Sequence, residues 1–188
     1  MSVTGAILVG GDSVRMGRDK ATLEWQGRPL LHHVHDLIAP LCREVLVVTR
    51  PGRLLDMPVG ARIVHDAIAE RGPLVGIHAA LTAATDPRVL VVAVDMPWLA
   101  SALLSAMIAA DGADVVIPRT DHGWEPLHAV YHRRCRPAIE NVLSRGPNRV
   151  SAFFDDVDVD PWDTERCRLH DPSGRSFLDL NRPENIPK

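Results

Sequence analysis

Aromatic residues are scarce in this sequence: its 188 residues include three Phe, four Trp and one Tyr, although 46% of the chain is apolar. This composition is typical of a globular domain with an aliphatic core. No apolar run approaches the roughly 18 residues that a transmembrane helix requires. The first residues also have neither the basic region nor the cleavage site of a secretory signal. We therefore expect one cytoplasmic domain over residues 1–188.

Excess positive charge is also lacking, since 21 Lys and Arg stand against 24 Asp and Glu, for a formal net charge of −3. The chain therefore offers no general basic field for nucleic acid or anionic lipid. Its three cysteines, Cys42, Cys135 and Cys167, are widely separated, which predicts neither a disulfide framework nor a zinc site. Any polyanionic ligand must be bound by a local concentration of positive charge.

Short, mostly β-branched apolar runs alternate with segments of helical periodicity. Runs of this kind are typical of strands that are covered on both faces of a parallel sheet. Repeated strand–helix–strand units with right-handed crossovers build a three-layer domain. The sequence therefore predicts an α/β fold, a Rossmann-like sandwich with a mostly parallel central sheet and helices on both faces. The runs are residues 5–9, 45–49, 89–94 and 114–117, and helical stripes begin near residues 30, 74 and 99.

The later part of the chain is less regular. We expect a strand at residues 126–131 and a helix at 133–145. Residues 154–171 are polar and acidic, which predicts an exposed loop, and a short strand should follow at 177–180.

The segment after the first strand, LVGGDSVRMGRDK at residues 8–20, carries the strongest functional signal. Ligands of open α/β sheets bind beyond the carboxyl ends of the strands, where this segment lies. Gly10 and Gly11 allow the backbone to approach phosphate oxygens closely. The segment also holds three cations within six residues: Arg15, Arg18 and Lys20. The spacing fits neither a Walker loop nor a GxGxxG dinucleotide fingerprint, so a phosphorylated ligand is expected without either motif.

Residues 8–20 resemble the LxGGxSxRMGxDK signature of the molybdenum cofactor nucleotidyltransferases, in particular the guanylyltransferases. Four further segments resemble elements of that family in the same order. They are GRPL at 27–30, GPLVGI at 72–77, DMP at 95–97 and DLNRPE at 179–184. The resemblance spans essentially the whole chain. It implies transfer of GMP from GTP to molybdopterin with release of pyrophosphate, and Mg²⁺ as the cofactor.

The resemblance also implies the nucleotide site. Its backbone contacts would come from Leu8, Val9, Gly10 and Gly11, with Val9 in place of the usual alanine. In this family a GG pair accompanies guanine. Asp66 resembles an aspartate that contacts the nucleotide, through either guanine or ribose, although a turn residue is the alternative. The family carries an asparagine at the end of the second strand, where this chain has Val47, Val48 and Thr49, so that contact is lost, replaced by Thr49 or made by the backbone.

The catalytic residues implied by the resemblance are Lys20, Arg15 and Asp95. Lys20, with Arg15 as the second candidate, would stabilise charge on the phosphates. Asp95 directly follows a buried strand, and a carboxylate beside triphosphate oxygens suits Mg²⁺. The alternatives are a helix N-cap for Asp95 and an exposed surface position for Lys20.

The acceptor site is implied by the terminal element and the segment before it. Asp179, Asn181 and Arg149 resemble residues near the pterin in relatives, with capping or surface roles as alternatives. Trp124 would line that pocket or pack in the core. We thus expect an N-terminal nucleotide-binding part and a C-terminal acceptor-binding part. GTP and molybdopterin are the expected substrates, and molybdenum insertion proteins or apo-molybdoenzymes are the expected protein partners.

Three other functions fit parts of the pattern: a molybdopterin cytidylyltransferase, a sugar-1-phosphate nucleotidyltransferase and a noncatalytic nucleotide-binding module. The GG pair argues against the first. The second would have an RLxPxT continuation after the glycines, where this chain has RMGRDK. The third has no reason to retain both Asp95 and Lys20.

Overall fold

The structure, a computed structural model, describes residues 2–10, 23–66, 72–146 and 149–180. In chain order the strands are β1 (Thr4–Val9), β2 (Glu24–Trp25), β3 (Arg28–Pro29), β4 (Glu44–Thr49), β5 (Ala61–His65), β6 (Arg88–Ala93), β7 (Val115–Thr120), β8 (Gly123–Trp124), β9 (His128–His132) and β10 (Val159–Trp162). The helices are α1 (Leu30–Ile38), α2 (Pro73–Ala83), α3 (Ser101–Ala109), α4 (Arg136–Leu143) and α5 (Thr164–Arg168). Among these residues, no helix is long and apolar enough to cross a bilayer.

One central sheet has the strand order β10-β7-β9-β6-β1-β4-β5, with β8 paired to β7. Strand β1 pairs in parallel with both β4 and β6, and β4 pairs in parallel with β5. Only β9 is reversed in the main order, because it is antiparallel to β6 and to β7. The predicted mostly parallel α/β sandwich is therefore confirmed.

Two apolar clusters, one on each face of the sheet, account for its burial. Ile7, Val9 and Val92 belong to the cluster that also contains α1 and α3 residues. Ala6 and Leu8 belong to the other, with residues of α2 and α4. All six residues of β1 are buried, which explains why its sequence shows no polar alternation. Helix α2 packs closely on this strand, since a Cβ added to Gly76 would lie 2.8 Å from Leu8 Cδ2.

The prediction of an exposed loop over residues 154–171 was wrong. This stretch contains the end of the 3₁₀ helix Val150–Asp156, the parallel strand β10 and helix α5. Its acidic residues have local partners, because Asp160 accepts hydrogen bonds from Arg166 Nη1 at 2.8 Å and from Trp162 Nε1 at 2.9 Å. An edge strand with satisfied carboxylates therefore produced a polar pattern that resembles a loop.

The predicted strand at 177–180 was also wrong. Arg175–Phe177 is a 3₁₀ helix, Leu178 has extended backbone, and the described chain ends in a turn at Leu180. The Leu180 N–H donates to the Asp95 carbonyl at 3.0 Å. The end of the described chain is thus attached to the turn that follows β6 and does not enter the sheet.

Candidate functional site

The carboxyl ends of β1, β4, β5 and β6 meet at one edge of the sheet. The register pairs Val9 with Thr49, Thr49 with His65, and Leu8 with Ala93. The hydrogen bonding continues past the strands, since the Asp66 N–H donates to the Thr49 carbonyl at 3.1 Å and the Val94 N–H to the Leu8 carbonyl at 3.2 Å. The structure therefore brings Gly10, Asp66 and Asp95 to the same edge of the sheet.

Asp95 begins an irregular connection between β6 and α3, which we call the Asp95 turn (residues 95–100). Asp95 is 8% exposed, so the turn lies against the protein. Its backbone is held by side chains from distant segments. His33 Nε2 lies 2.8 Å from the Pro97 carbonyl oxygen, and Ser176 Oγ accepts from the Ala100 N–H at 2.9 Å. The Ala100 position before α3 has extended backbone, and Asp95 lies five residues earlier, so Asp95 is not the N-cap of this helix.

The carboxylate at this edge suits a divalent metal ion that takes its other ligands from a phosphate group of the substrate. Among the described residues, no three His, Cys, Asp or Glu side chains form a group that could hold a metal ion alone. Mg²⁺ in phosphoryl-transfer sites is commonly held by one or two carboxylates together with substrate phosphates. A single carboxylate at the end of a central strand, as at Asp95, is sufficient for that kind of site.

Asp66 lies at the end of the edge strand β5 and is half-buried. Burial raises the pKa of its carboxyl, although the nearby positive charges of Arg50 and His65 act in the opposite direction. A carboxylate at this position can accept hydrogen bonds from a nucleoside base or from ribose hydroxyls.

Arg53 is a residue of this edge that the sequence did not reveal. Its Nη1 donates to the Val9 carbonyl at 2.7 Å, so a guanidinium group binds the last peptide of β1, directly before Gly10. The connection between β4 and β5 that contains Arg53 is irregular and has no motif, which is why no sequence pattern indicated it. Thr49, the last residue of β4, is 1% exposed, and its Oγ1 has no hydrogen-bond partner in the described part of the chain.

Two of the predicted acceptor residues, Asp179 and Arg149, are among the described residues. Asp179 precedes Leu180, whose N–H binds the Asp95 carbonyl, and is therefore close to the Asp95 turn. Glu125, which the sequence also did not reveal, lies between the end of β7 and the start of β9 and accepts from Thr120 Oγ1 at 2.8 Å. Burial raises the pKa of the Glu125 carboxyl, and the negative charge of Asp179 adds to this effect.

Trp124 and Arg149 lie on the face that is covered by α2 and α4. The Trp124 ring is partly buried against that cluster, packs edge-on against Phe154 with centroids 5.2 Å apart, and is covered by Arg119 at 5.0 Å. Arg149 is exposed and immediately precedes the 3₁₀ helix Val150–Asp156. Trp124 thus combines core packing with a position next to the edge. Four predicted site residues lie outside the described residues: Gly11, Arg15, Lys20 and Asn181.

This fold, with a glycine after its first strand and a carboxylate after the adjacent central strand, is that of an α/β nucleotidyltransferase. The model of the MobA-like NTP transferase domain matches residues 5–159, and the chain belongs to this family.

Two relatives and one solved structure are similar over nearly the whole chain. A molybdenum cofactor guanylyltransferase from Desulfosudis oleivorans is 36% identical over 191 residues, covering 100% of this chain and 94% of that protein. A probable molybdenum cofactor guanylyltransferase from Pelotomaculum thermopropionicum is 36% identical over 192 residues, with coverage of 100% and 92%. The crystal structure of molybdopterin-guanine dinucleotide biosynthesis protein A from Archaeoglobus fulgidus superposes with a TM-score of 0.81 at 26% identity, covering 96% of this chain and 93% of that one.

Proposed function

We propose that this protein transfers GMP from GTP to the terminal phosphate of molybdopterin, with release of pyrophosphate. The observation that carries the proposal is the placement of Gly10 and Asp95 after two adjacent parallel strands, at one edge of a fold shared with guanylyltransferases. Phosphate-binding backbone and a metal-binding carboxylate are the two elements that nucleotidyl transfer requires.

The nucleotide lies, in this proposal, against the edge formed by β1, β4 and β5. Leu8, Val9, Gly10 and Gly11 supply backbone contacts. Arg53 fixes the Val9–Gly10 peptide through its hydrogen bond to the Val9 carbonyl. Asp66 contacts guanine or ribose. Lys20 and Arg15, in this proposal, neutralise charge on the departing pyrophosphate, because mobile cations can follow developing charge.

The reaction needs no protein nucleophile. A phosphate oxygen of molybdopterin attacks the α-phosphorus of GTP and forms the new phosphoanhydride bond. The bond between the α-phosphorus and the oxygen that bridges it to the β-phosphate breaks, and pyrophosphate leaves with that oxygen. The acceptor phosphate is already anionic, so no strong general base is required. Burial raises the pKa of both the Cys42 and the Cys135 thiols to about 12, so neither is a thiolate nucleophile at neutral pH.

Asp95 would hold the divalent cofactor, which we propose is Mg²⁺, beside the phosphates of GTP. When bound, the ion supplies a Lewis acid for the charge on the phosphates. The contribution of the chain is to hold the Asp95 carboxylate at the end of β6, in a turn whose backbone is fixed by other segments.

The acceptor, in this proposal, lies on the side of β9 and β7. Asp179 and Asn181 contact the pterin from the terminal segment, and Arg149 is the third acceptor-binding residue. Residues 1–188 thus form one domain, in which an N-terminal nucleotide-binding part and a C-terminal acceptor-binding part share one sheet. Delivery to molybdenum insertion proteins or apo-molybdoenzymes, and a cytoplasmic location, stay predictions.

Nucleotide selectivity tests the reaction directly. The protein is incubated with Mg²⁺, molybdopterin and one of GTP, CTP or ATP, and pyrophosphate release is measured. We expect release with GTP and formation of the guanine dinucleotide. Release with CTP alone would identify a cytidylyltransferase, and no release with any nucleotide would favour a noncatalytic nucleotide-binding module.

Asp95→Asn tests the role of the carboxylate. Loss of a group that stabilises developing charge typically lowers kcat by about 10²-fold or more, and we expect at least that loss with an unchanged circular dichroism spectrum. Asp155→Asn, which removes an exposed carboxylate from the 3₁₀ helix Val150–Asp156, is the matched control and should retain full activity. An Asp95→Asn variant with most of its activity would remove Asp95 from the metal site.

A further inference from the structure

We propose that His33, on helix α1, is a positioning residue that fixes the Asp95 turn and thereby the direction of the metal-binding carboxylate. His33 is separated from Pro97 by 64 positions in the sequence, yet its Nε2 lies 2.8 Å from the Pro97 carbonyl oxygen. Pro97 is two residues after Asp95. This inference rests on the proposed function for the role of Asp95, and it adds a residue that no motif of the chain contains.

The neighbours of His33 determine which ring nitrogen carries the hydrogen. Arg28 Nη2 lies 3.2 Å from His33 Nδ1, and a guanidinium can only donate. Nδ1 must therefore accept, so Nε2 carries the hydrogen and donates to the Pro97 carbonyl. Arg28 is held in turn by Asp36, whose Oδ2 accepts from Nη1 at 2.6 Å. The contacts from Asp36 through Arg28 to His33 thus end on the Asp95 turn, and each donor in them faces an acceptor.

Aromatic packing fixes the imidazole from a second side. Trp25, in the β2–β3 hairpin, is 6% exposed, and its ring packs edge-on against Trp98 with centroids 5.0 Å apart. The His33 ring lies 6.1 Å from the same Trp25 ring. Trp98 belongs to the Asp95 turn, so the hairpin and the helix contact the turn together.

The remaining supports of the turn come from the opposite direction. The Leu180 N–H donates to the Asp95 carbonyl, and Ser176 Oγ accepts from the Ala100 N–H. Both groups belong to the terminal segment. The His33 contact is therefore the hydrogen bond by which helix α1 holds the Pro97 peptide, two residues from the Asp95 carboxylate. Partners that orient a metal ligand are typically worth about 10- to 100-fold in metal affinity or activity.

The test compares His33→Leu, which removes the donor, with His33→Gln, whose terminal amide nitrogen can still donate. His78→Leu is the matched control, because His78 Nε2 lies 3.0 Å from Glu140 Oε1 in an equivalent contact between helices α2 and α4. Two measurements are made: Mn²⁺ titration in the presence of GTP, followed by electron paramagnetic resonance, and hydrogen exchange at the Leu180 and Ala100 amides. Thermal melting of each variant records its overall stability.

We expect His33→Leu to bind Mn²⁺ at least about tenfold more weakly than the wild type and to exchange both amides faster. His33→Gln should recover most of both properties. His78→Leu should melt at a similarly reduced temperature, with wild-type Mn²⁺ binding and wild-type exchange at the two amides. Equal Mn²⁺ binding and equal exchange in His33→Leu and wild type would overturn the proposal. So would a loss shared equally by His78→Leu, because it would reflect stability alone.

This design separates the inference from the proposed function. If wild-type protein releases no pyrophosphate with any nucleotide, the proposed function fails, while amide exchange at Leu180 and Ala100 still measures the His33 contact. If wild-type protein is active and His33→Leu matches it in exchange, metal binding and kcat, the inference fails and the proposed function stands.

Discussion

Glu44 holds the edge of the sheet opposite the site, and its replacement by Gln has an effect that can be worked out from the structure. Its carboxylate accepts from the Thr85 N–H at 2.8 Å, from Thr85 Oγ1 at 2.7 Å, from Thr4 Oγ1 at 3.1 Å and from Arg62 Nη2 at 2.9 Å. These contacts join the starts of β1, β4 and β5 to the connection that follows α2. Glu44→Gln removes the charge and changes the volume little.

The magnitude follows from the pKa of this carboxyl. Burial alone would raise the pKa, but the hydrogen bonds from Thr85, Arg62 and Thr4 outweigh it and lower the pKa from 4.5 to about 2. At about 1.4 kcal/mol for each tenfold change in proton affinity, that difference corresponds to roughly 3 kcal/mol. The side chain is 20% exposed, so solvent screening reduces the expected contribution to about 2 kcal/mol. Because the pKa is lower in the folded state, this stabilisation is complete above pH 4.5 and is lost as the pH falls toward 2.

The assay is urea unfolding of wild type and Glu44→Gln between pH 7 and pH 3, with Glu24→Gln as an exposed control. At pH 7 we expect Glu44→Gln to lose about 2 kcal/mol of unfolding free energy and the control to lose less than about 0.5 kcal/mol. The deficit of Glu44→Gln should shrink as the pH falls below 4.5. Wild-type stability of the variant at pH 7, or a deficit that is constant with pH, would refute the reasoning. Nucleotide KM should not change, since Glu44 lies at the edge away from Asp95.

Two further substitutions probe packing near the site and away from it. In Gly76→Ala the added Cβ would meet Leu8 Cδ2 at 2.8 Å, so the cost of overpacking, about 1 to 3 kcal/mol, opposes a gain in helix propensity of about 1 kcal/mol. We expect Gly76→Ala to lose up to about 2 kcal/mol of unfolding free energy and to raise the KM for GTP several-fold. Gly5→Ala is the control: its added Cβ would lie 2.9 Å from Cys42 Sγ, so it should destabilise the protein without changing KM. An unchanged KM in Gly76→Ala would contradict a nucleotide contact by Leu8. Arg88→Met removes a buried guanidinium that donates to two carbonyls at the C-terminus of α3, at 2.7 and 2.6 Å, and should cost about 2 to 4 kcal/mol in urea unfolding. A wild-type unfolding midpoint would show that those carbonyls need no partner.

The central strands could be predicted because burial on both faces leaves an uninterrupted apolar signature. Strands β1, β4 and β6 have this signature, and it also predicts that Gly10 and Asp95 reach the same edge. Edge strands do not have it. In β5, Ile63 is 40% exposed and Arg62 is bound to Glu44, so the strand has no apolar run. In β10 the carboxylate of Asp160 has local partners, and its polar sequence was interpreted as a loop.

The supporting residues of the site could not be predicted for a different reason. His33 and Arg53 act through contacts to backbone carbonyls of distant segments, Pro97 and Val9. Every residue has a backbone carbonyl, whatever its side chain, so such a contact leaves no pattern in the sequence. Residues that touch ligands through their own chemistry, such as Asp95, can be found in motifs, whereas residues that hold those motifs in place require the tertiary structure.

The reversed strand β9 determines when the central strand β6 is paired on both sides during synthesis. Strand β6 pairs with β1 on one side, but its other side is paired with β9, which follows β7 in the chain. A ribosome must therefore make β7 and the β8 hairpin before β6 gains its second neighbour. All six residues of β6 are buried in the finished protein, so a chain stalled before residue 132 presents an open apolar strand that can pair with other chains. Truncated forms of this protein should accordingly aggregate unless they extend through β9.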